Sequence, residues 1–241
     1  MKFIGYFRQL YAAFFRSKGD SVVKTFTLNS QHLGRKVEFD VYRPAVYPLQ
    51  ALKLVIFNDG QDLRRMGTRR TLQDLYDDDK LTSTLVVGIV AADRLREYGT
   101  SERLDYKQRG DLATGHELFV IRELIPWLEK RYTIHSNPDC RAVAGFSLGG
   151  LNAFDLVWRN PHCFSTAGVF SGALWWRSTA YRNEQPDADR IVHNYVVKEA
   201  VSENFRAWFM AGTEDEHNDR NHNGIIDAID DTLDLHYILT K

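Results

Sequence analysis

From Val22 onward the chain alternates between two patterns of apolar and polar positions. Residues 22–28 (VVKTFTL) and 36–43 (KVEFDVYR) alternate strictly enough to predict the two strands of a hairpin. Residues 53–58 (KLVIFN), 85–90 (LVVGIV), 141–146 (RAVAGF), 164–170 (FSTAGVF) and 206–211 (RAWFMA) are short, rich in Val, Ile, Phe and Ala, and mostly lack alternation. That pattern predicts parallel strands buried on both faces. Helical spacing fills the intervals, over about 69–80, 115–131, 149–159, within 187–203 and over 228–240. Strands alternating with helices of this length give a mostly parallel sheet covered on both faces, so the class is α/β. Pro126 is expected to kink its helix, because Leu124, Ile125, Leu128 and Tyr132 carry the apolar stripe past it.

Ahead of this domain (21–241), residues 1–20 read as a separate element. Phe3, Ile4, Phe7, Leu10, Tyr11, Phe14 and Phe15 recur at helical spacing, with Lys2, Arg8, Arg16 and Lys18 on the remainder: a basic amphipathic helix. Packing on the domain's own core, and docking to a membrane surface or a partner through residues 1–18, both stay open. Arg8 and Arg16 interrupt the run that a secretory signal needs, so export is not expected and a cytoplasmic setting is.

Composition narrows the class further. With 241 residues and 44% apolar positions, one sizeable core is expected without disulfides or a structural metal, and disorder and coiled coil are excluded. Lys+Arg 31 against Asp+Glu 32 argues against a nucleic-acid partner, which would call for concentrated positive charge. No run reaches the roughly 18 apolar residues of a membrane-spanning helix. Cys140 and Cys163 alone do not make a disulfide framework; two free thiols in a reducing compartment are expected. A homo-oligomer stays open.

The chemistry concentrates at Gly145-Phe146-Ser147-Leu148-Gly149-Gly150, a G-x-S-x-G directly after one predicted strand and directly before a predicted helix. A turn this tight strains the serine backbone, needs small neighbours, and stands the hydroxyl above the carboxyl edge of the sheet. The N-H groups opening the next helix favour a developing oxyanion there. Ser147 is thus the candidate nucleophile and Leu148 N-H one oxyanion donor. A second donor is expected from the loop after an earlier central strand, where KLVIFN runs into Asp59-Gly60-Gln61-Asp62; Gln61 N-H is the candidate.

GFSLGG, the segments DYKQRG and ELIPWLEKRY before it, SGALWWRS after the next strand and the opening LNSQHLGRKVEFDVYRP resemble the esterase D-like branch of the α/β-hydrolase fold, which includes feruloyl and enterochelin esterases, S-formylglutathione hydrolases and mycolyl transferases. The resemblance runs over residues 22–241. It implies a serine carboxyl-ester hydrolase working through an acyl-enzyme on a small ester, with no cofactor for catalysis.

The same resemblance frames the acid and the base. After RAWFMA comes Gly212-Thr213-Glu214-Asp215-Glu216, where the fold places the triad acid; Asp215 is the first candidate and Glu216 the second, against a plain solvated loop. Family members carry the histidine in a Gly-Gly-His-like loop after one more strand, and no residue before Lys241 matches it. The final strand and His loop of the hydrolase core are therefore expected to be absent. His217 and His222 in the acid loop, and His193 and His116 near the carboxyl edge, are the substitutes to weigh; a hydrolase-like binding module without turnover is the competing expectation.

Two further features carry chemistry. From Asp219, oxygen-bearing side chains fall at loop positions 1, 3, 5, 9 and 12, with Gly224 at 6. This is the spacing of a 12-residue calcium loop, with Asp219, Asn221, Asn223, the carbonyl of Ile225 and Asp230 as expected ligands of a structural Ca²⁺, against a polar loop capping the last helix. Trp175 and Trp176 follow a central strand and are expected to overhang Ser147 as an aromatic wall that suits an aromatic group, or to close the core. Arg64, Arg65, Arg69 and Arg70 leave an anionic substrate and a solvated helix start both open.

Overall fold

The structure, a computed structural model, describes residues 21–44, 50–81 and 83–241. The amphipathic helix expected over residues 1–20 lies outside the described residues.

Seven strands form one sheet in the order β1-β2-β4-β3-β5-β6-β7. The hairpin is β1 (Val22–Ser30) and β2 (Arg35–Arg43), antiparallel in the register Val22 to Arg43. Its turn ends at Gly34, whose positive φ of 63° a side chain would strain. β2 pairs antiparallel with β4 (Thr84–Ile89). The remaining neighbours, β3 (Lys53–Asn58), β5 (Arg141–Phe146), β6 (Thr166–Phe170) and β7 (Arg206–Met210), run parallel to one another and to β4. Every strand lies within a few residues of its expected span, because buried parallel strands must be apolar on both faces.

β7 departs from that rule. It pairs with β6 alone among the described residues, and its outer face leaves Trp208 54% and Met210 43% exposed. The expectation of burial on both faces is corrected: large apolar side chains on an edge strand have the composition of a central one.

The helices are α1 (Gly60–Arg65), α2 (Thr68–Asp77), α3 (Arg94–Glu97), α4 (Ala113–Leu118), α5 (Ile125–Glu129), α6 (Leu148–Arg159) and α7 (Ile191–Val196) in the connections between parallel strands, and α8 (Asp227–Leu239) after β7. α4 passes through a π-helical stretch, Phe119–Leu124, into α5. Pro126, expected to kink the helix, stands in the first turn of α5, where its missing N-H is tolerated, directly after the π-helical stretch. Phe119, Val120, Leu124 and Leu128 stay buried through the change of helix type. Cys140 and Cys163 are free, half-buried thiols.

Candidate active site

In an open α/β sheet, ligands bind outside the carboxyl ends of the strands where the strand order reverses. Here β3 has β4 on one side and β5 on the other, so the reversal lies at the ends of β3 and β5. The former runs into Asp59-Gly60-Gln61 and the latter into Ser147.

Ser147 sits at φ 54°, ψ −119°, a conformation that costs a non-glycine residue on the order of 1–3 kcal/mol. The surroundings hold it there. Its N-H donates to Phe170 O at 2.9 Å, and its carbonyl accepts from Gly150, Leu151 and Ala173 N-H groups at 3.0 Å each. The glycines are sterically required: a Cβ on Gly145 would stand 2.4 Å from Gly149 O, and one on Gly149 would stand 2.8 Å from Asp59 Oδ2. The Ser147 side chain is exposed, and its hydroxyl has no hydrogen-bond partner among the described residues.

The oxyanion loop is built as tightly. Asp59 adopts a left-handed conformation (φ 60°, ψ 47°) that turns β3 into α1, and a Cβ on Gly60 would stand 2.3 Å from the Gly88 backbone of β4. Gln61 and Leu148 thereby occupy the first turns of α1 and α6, where an N-H has no partner within its own helix. Neither N-H donates to another group of the described residues.

Two residues that sequence reasoning had not singled out clamp this loop to the elbow. Asn58 Nδ2 donates to Gly149 O at 2.8 Å, just past the serine. Arg94, opening α3 beyond β4, grips the 2%-exposed Asp59 with Nε to Oδ1 at 2.8 Å and Nη2 to Oδ2 at 3.0 Å, and reaches Phe146 O at 3.3 Å, just before the serine. Tyr98 Oη accepts the Asp59 N-H at 2.9 Å, and Gln61 Nε2 donates to Asp59 Oδ1 at 3.0 Å. An arginine at the first helical position after a central strand was the available signal for this clamp.

The histidines divide sharply. His116 is fully buried at the carboxyl end of β3; since the Asn58 amide nitrogen is committed to Gly149, its oxygen accepts from His116 Nε2-H at 3.1 Å. Burial, then the charge of Arg35, pushes the His116 pKa down to about 3. His193 donates from Nε2 to Asp231 O at 2.9 Å, and burial, then Arg190, likewise holds its pKa down to about 3. Both are neutral core residues, which removes them as candidate bases. His217 and His222 are exposed in the loop after β7.

Asp215 folds back on its own turn, accepting Gly212 N-H at 2.7 Å, with no histidine as a partner among the described residues. Glu216 instead lines a cavity of about 560 Å³ that it shares with Trp175, Tyr106, Tyr181, Arg177 and His222. Burial, then the nearby charge of Asp227, raises the Glu216 pKa. Of the tryptophan pair only Trp175 reaches the cavity. Trp176 is 0% exposed, under the Arg109 guanidinium at 4.8 Å and against Gly99, so the expectation that it contacts substrate is corrected to a core role. The two rings are neighbours, 5.8 Å apart, and the Arg109 guanidinium lies within 5.4 Å of both. A second cavity of about 460 Å³, lined by Asp59, Asp62, Arg65, Met66, Arg94 and Phe146, lies on the β3–β4 side of the elbow.

The loop from Asp219 folds around its own oxygens. Asp219 accepts N-H groups of Asn223 at 3.1 Å and Gly224 at 2.9 Å, Asn223 Oδ1 accepts from Ile225 N-H at 2.8 Å, and Asn221 Nδ2 donates to Asp230 Oδ2 at 2.8 Å. The expected ligand positions 1, 3, 5 and 12 are thus brought into one loop, with two carboxylates among them. No group of three or more His, Cys, Asp or Glu that could hold a metal occurs among the described residues. The anchoring expected of a metal is supplied in part by Arg220, which is buried and paired with Asp187 at 2.7 Å, Asp227 at 3.3 Å and Asp231.

Comparison with known proteins agrees with the fold. A family model described as "Putative esterase" matches residues 30–234. The uncharacterized protein YbbA of Bacillus subtilis (strain 168) is 24% identical over 157 residues, 63% of this chain and 62% of that protein. The enterobactin esterase of Shigella flexneri, solved in the presence of enterobactin, superposes with a TM-score of 0.71 at 21% identity, over 91% of this chain and 51% of its own. A ferulic acid esterase superposes with a TM-score of 0.66 at 17% identity, over 92% of this chain and 86% of its own. The chain spans under two thirds of YbbA and about half of the Shigella protein. No helix among the described residues is long and apolar enough to cross a membrane.

Proposed function

The chain belongs to the esterase family described as "Putative esterase", and on that premise we propose that it is an ester-hydrolysing α/β-hydrolase domain in which Ser147 attacks a small carboxyl ester and forms an acyl-enzyme. Leu148 and Gln61 N-H groups receive the oxyanion, and Trp175 offers an aromatic face to one side of the substrate. The observation that carries this reading is an exposed serine held in a strained turn, with two unengaged backbone N-H groups opening helices beside it. Strain of that kind persists only where surrounding contacts over-determine it, and it concentrates at functional sites. Asp215 and Glu216 both remain candidates for the acid. We place the protein in a reducing, cytoplasmic setting on the strength of its two unpaired thiols.

A second reading, a binding module without turnover, is favoured by one observation: no histidine bonds to Asp215, Glu216 or the Ser147 hydroxyl among the described residues. A fluorophosphonate probe separates the two. We expect covalent labelling at Ser147, mapped by peptide mass spectrometry and lost in Ser147→Ala. Intact, folded protein that stays unlabelled would establish the binding module.

For the loop 219–230 we propose a structural Ca²⁺ held by Asp219, Asn221, Asn223, the Ile225 carbonyl and Asp230, supported by the convergence of these positions in one loop. It would supply rigidity to the segment presenting Asp215 and Glu216, not chemistry. Titration with CaCl₂ is expected to give binding heat and a raised melting temperature, both lost in Asp219→Ala. Neither effect in the wild-type protein would remove the ion.

A further inference from the structure

The cavity between Trp175 and the loop after β7 contains a buried charge that the fold does not pair. Arg177 is 6% exposed. Its Nε donates to Trp175 O at 3.2 Å and its Nη1 to Pro186 O at 3.0 Å, while Nη2 has no acceptor and no carboxylate forms an ion pair with it among the described residues. Arg190 and Arg220, buried equally deeply nearby, take the local acids between them: Arg190 pairs Asp231 and Asp234, and Arg220 pairs Asp187, Asp227 and Asp231. A buried cation satisfied only by carbonyls is costly unless something else supplies the counter-charge. Burial, then Arg220, pulls the Arg177 pKa below that of an ordinary arginine, although Asp231 and Asp187 pull it the other way.

The other walls say what the counter-charge is attached to. Trp175, Tyr106 and Tyr181 line the same space, with the Arg177 guanidinium 5.8 Å from the Tyr181 ring centre. About 560 Å³ accommodates one substituted ring. The acids that share the cavity oppose an anion weakly. Asp227 is held by Arg220, Asp219 accepts two loop N-H groups, and Glu216 accepts from Asn218 Nδ2 at 3.4 Å.

We propose that this cavity is a carboxylate subsite, taking an aromatic ligand whose ring lies against Trp175 and whose carboxylate accepts from Arg177. As a pocket for the substrate of Ser147 the assignment rests on the ester-hydrolase reading; as an anion site it stands independently. A planar guanidinium suits a carboxylate, which can accept two parallel N-H groups.

The test is calorimetric titration of the folded protein, wild type and Ser147→Ala, with benzoate and with neutral, near-isosteric benzamide. Benzoate is expected to bind both proteins and benzamide at least tenfold more weakly. Arg177→Met should abolish that preference at an unchanged melting temperature, and Arg177→Lys should keep part of it. Equal binding of the two ligands, no binding of either, or a preference that survives Arg177→Met would overturn the subsite. Since the two wild-type titrations decide the question alone, a variant that fails to fold does not shelter the proposal. For the substrate role, the KM of a phenyl ester carrying a ring carboxylate should be at least tenfold below that of its uncharged counterpart. Equal values beside intact benzoate binding would overturn that role, whereas failure to label Ser147 would sink the hydrolase reading and leave the anion site standing.

Discussion

Gly145→Ala is expected to slow fluorophosphonate labelling of Ser147 by at least about a hundredfold, more than the loss of stability alone accounts for. The added methyl would stand 2.4 Å from Gly149 O and 2.5 Å from its carbonyl carbon, backbone atoms of the first turn of α6. No side chain can rotate out of the way, so the end of β5 and the start of α6 must separate. That separation moves Ser147 and the Leu148 N-H together, away from Gln61 N-H on the other side of the crevice. Overpacking of this kind costs about 1–3 kcal/mol of stability, and a displacement near 1 Å at a reacting centre costs about a hundredfold in rate. Gly34→Ala supplies the control: it meets nothing within 4 Å but has φ +63°, so it should cost about 1 kcal/mol and leave labelling unchanged. Urea unfolding and labelling rates of the two variants check the pair. Equal labelling rates in both would show that the elbow does not depend on the closeness of Gly145 to Gly149.

The elbow was legible in the sequence because its constraint is local. Gly145, Ser147 and Gly149 belong to one turn, and the steric rule joining them acts over four residues. The sheet was legible for a related reason, since each buried strand carries its own apolar run. What the sequence did not disclose depends on contacts between distant segments. Asn58 meets Gly149 across 91 residues and Arg94 meets Asp59 across 35, and no spacing announces either pair. The same holds for His116, which lies at the carboxyl end of β3 as read but is buried there, bonded to Asn58 across 58 residues. Composition misled at β7, where Trp208 and Met210 look like core and face outward. It was silent at Trp175 and Trp176, which are identical in type and neighbours in space but differ in burial.

Arg94→Met should destabilise the protein by about 3 kcal/mol, because it leaves the Asp59 carboxylate buried without its cation. Asp59 is 2% exposed, and the Gln61 amide at 3.0 Å would be its remaining side-chain donor. The arginine itself is 41% exposed, so its own return to solvent recovers little, and the penalty falls on the acid it abandons. Adding Asp59→Asn removes the stranded charge and keeps a side chain that tolerates the left-handed backbone at this position. The double variant should therefore regain most of the lost stability in a urea titration. It should not regain labelling of Ser147, because Phe146 O still lacks the donor that Arg94 holds at 3.3 Å and the front of the elbow is free to shift. Two outcomes count against the clamp: a single variant as stable as wild type, which would mean that water already screens the pair, or a double variant that recovers labelling together with stability. Stability restored without reactivity is the result that assigns Arg94 two separable tasks, neutralising Asp59 and holding the strand end from which the nucleophile projects.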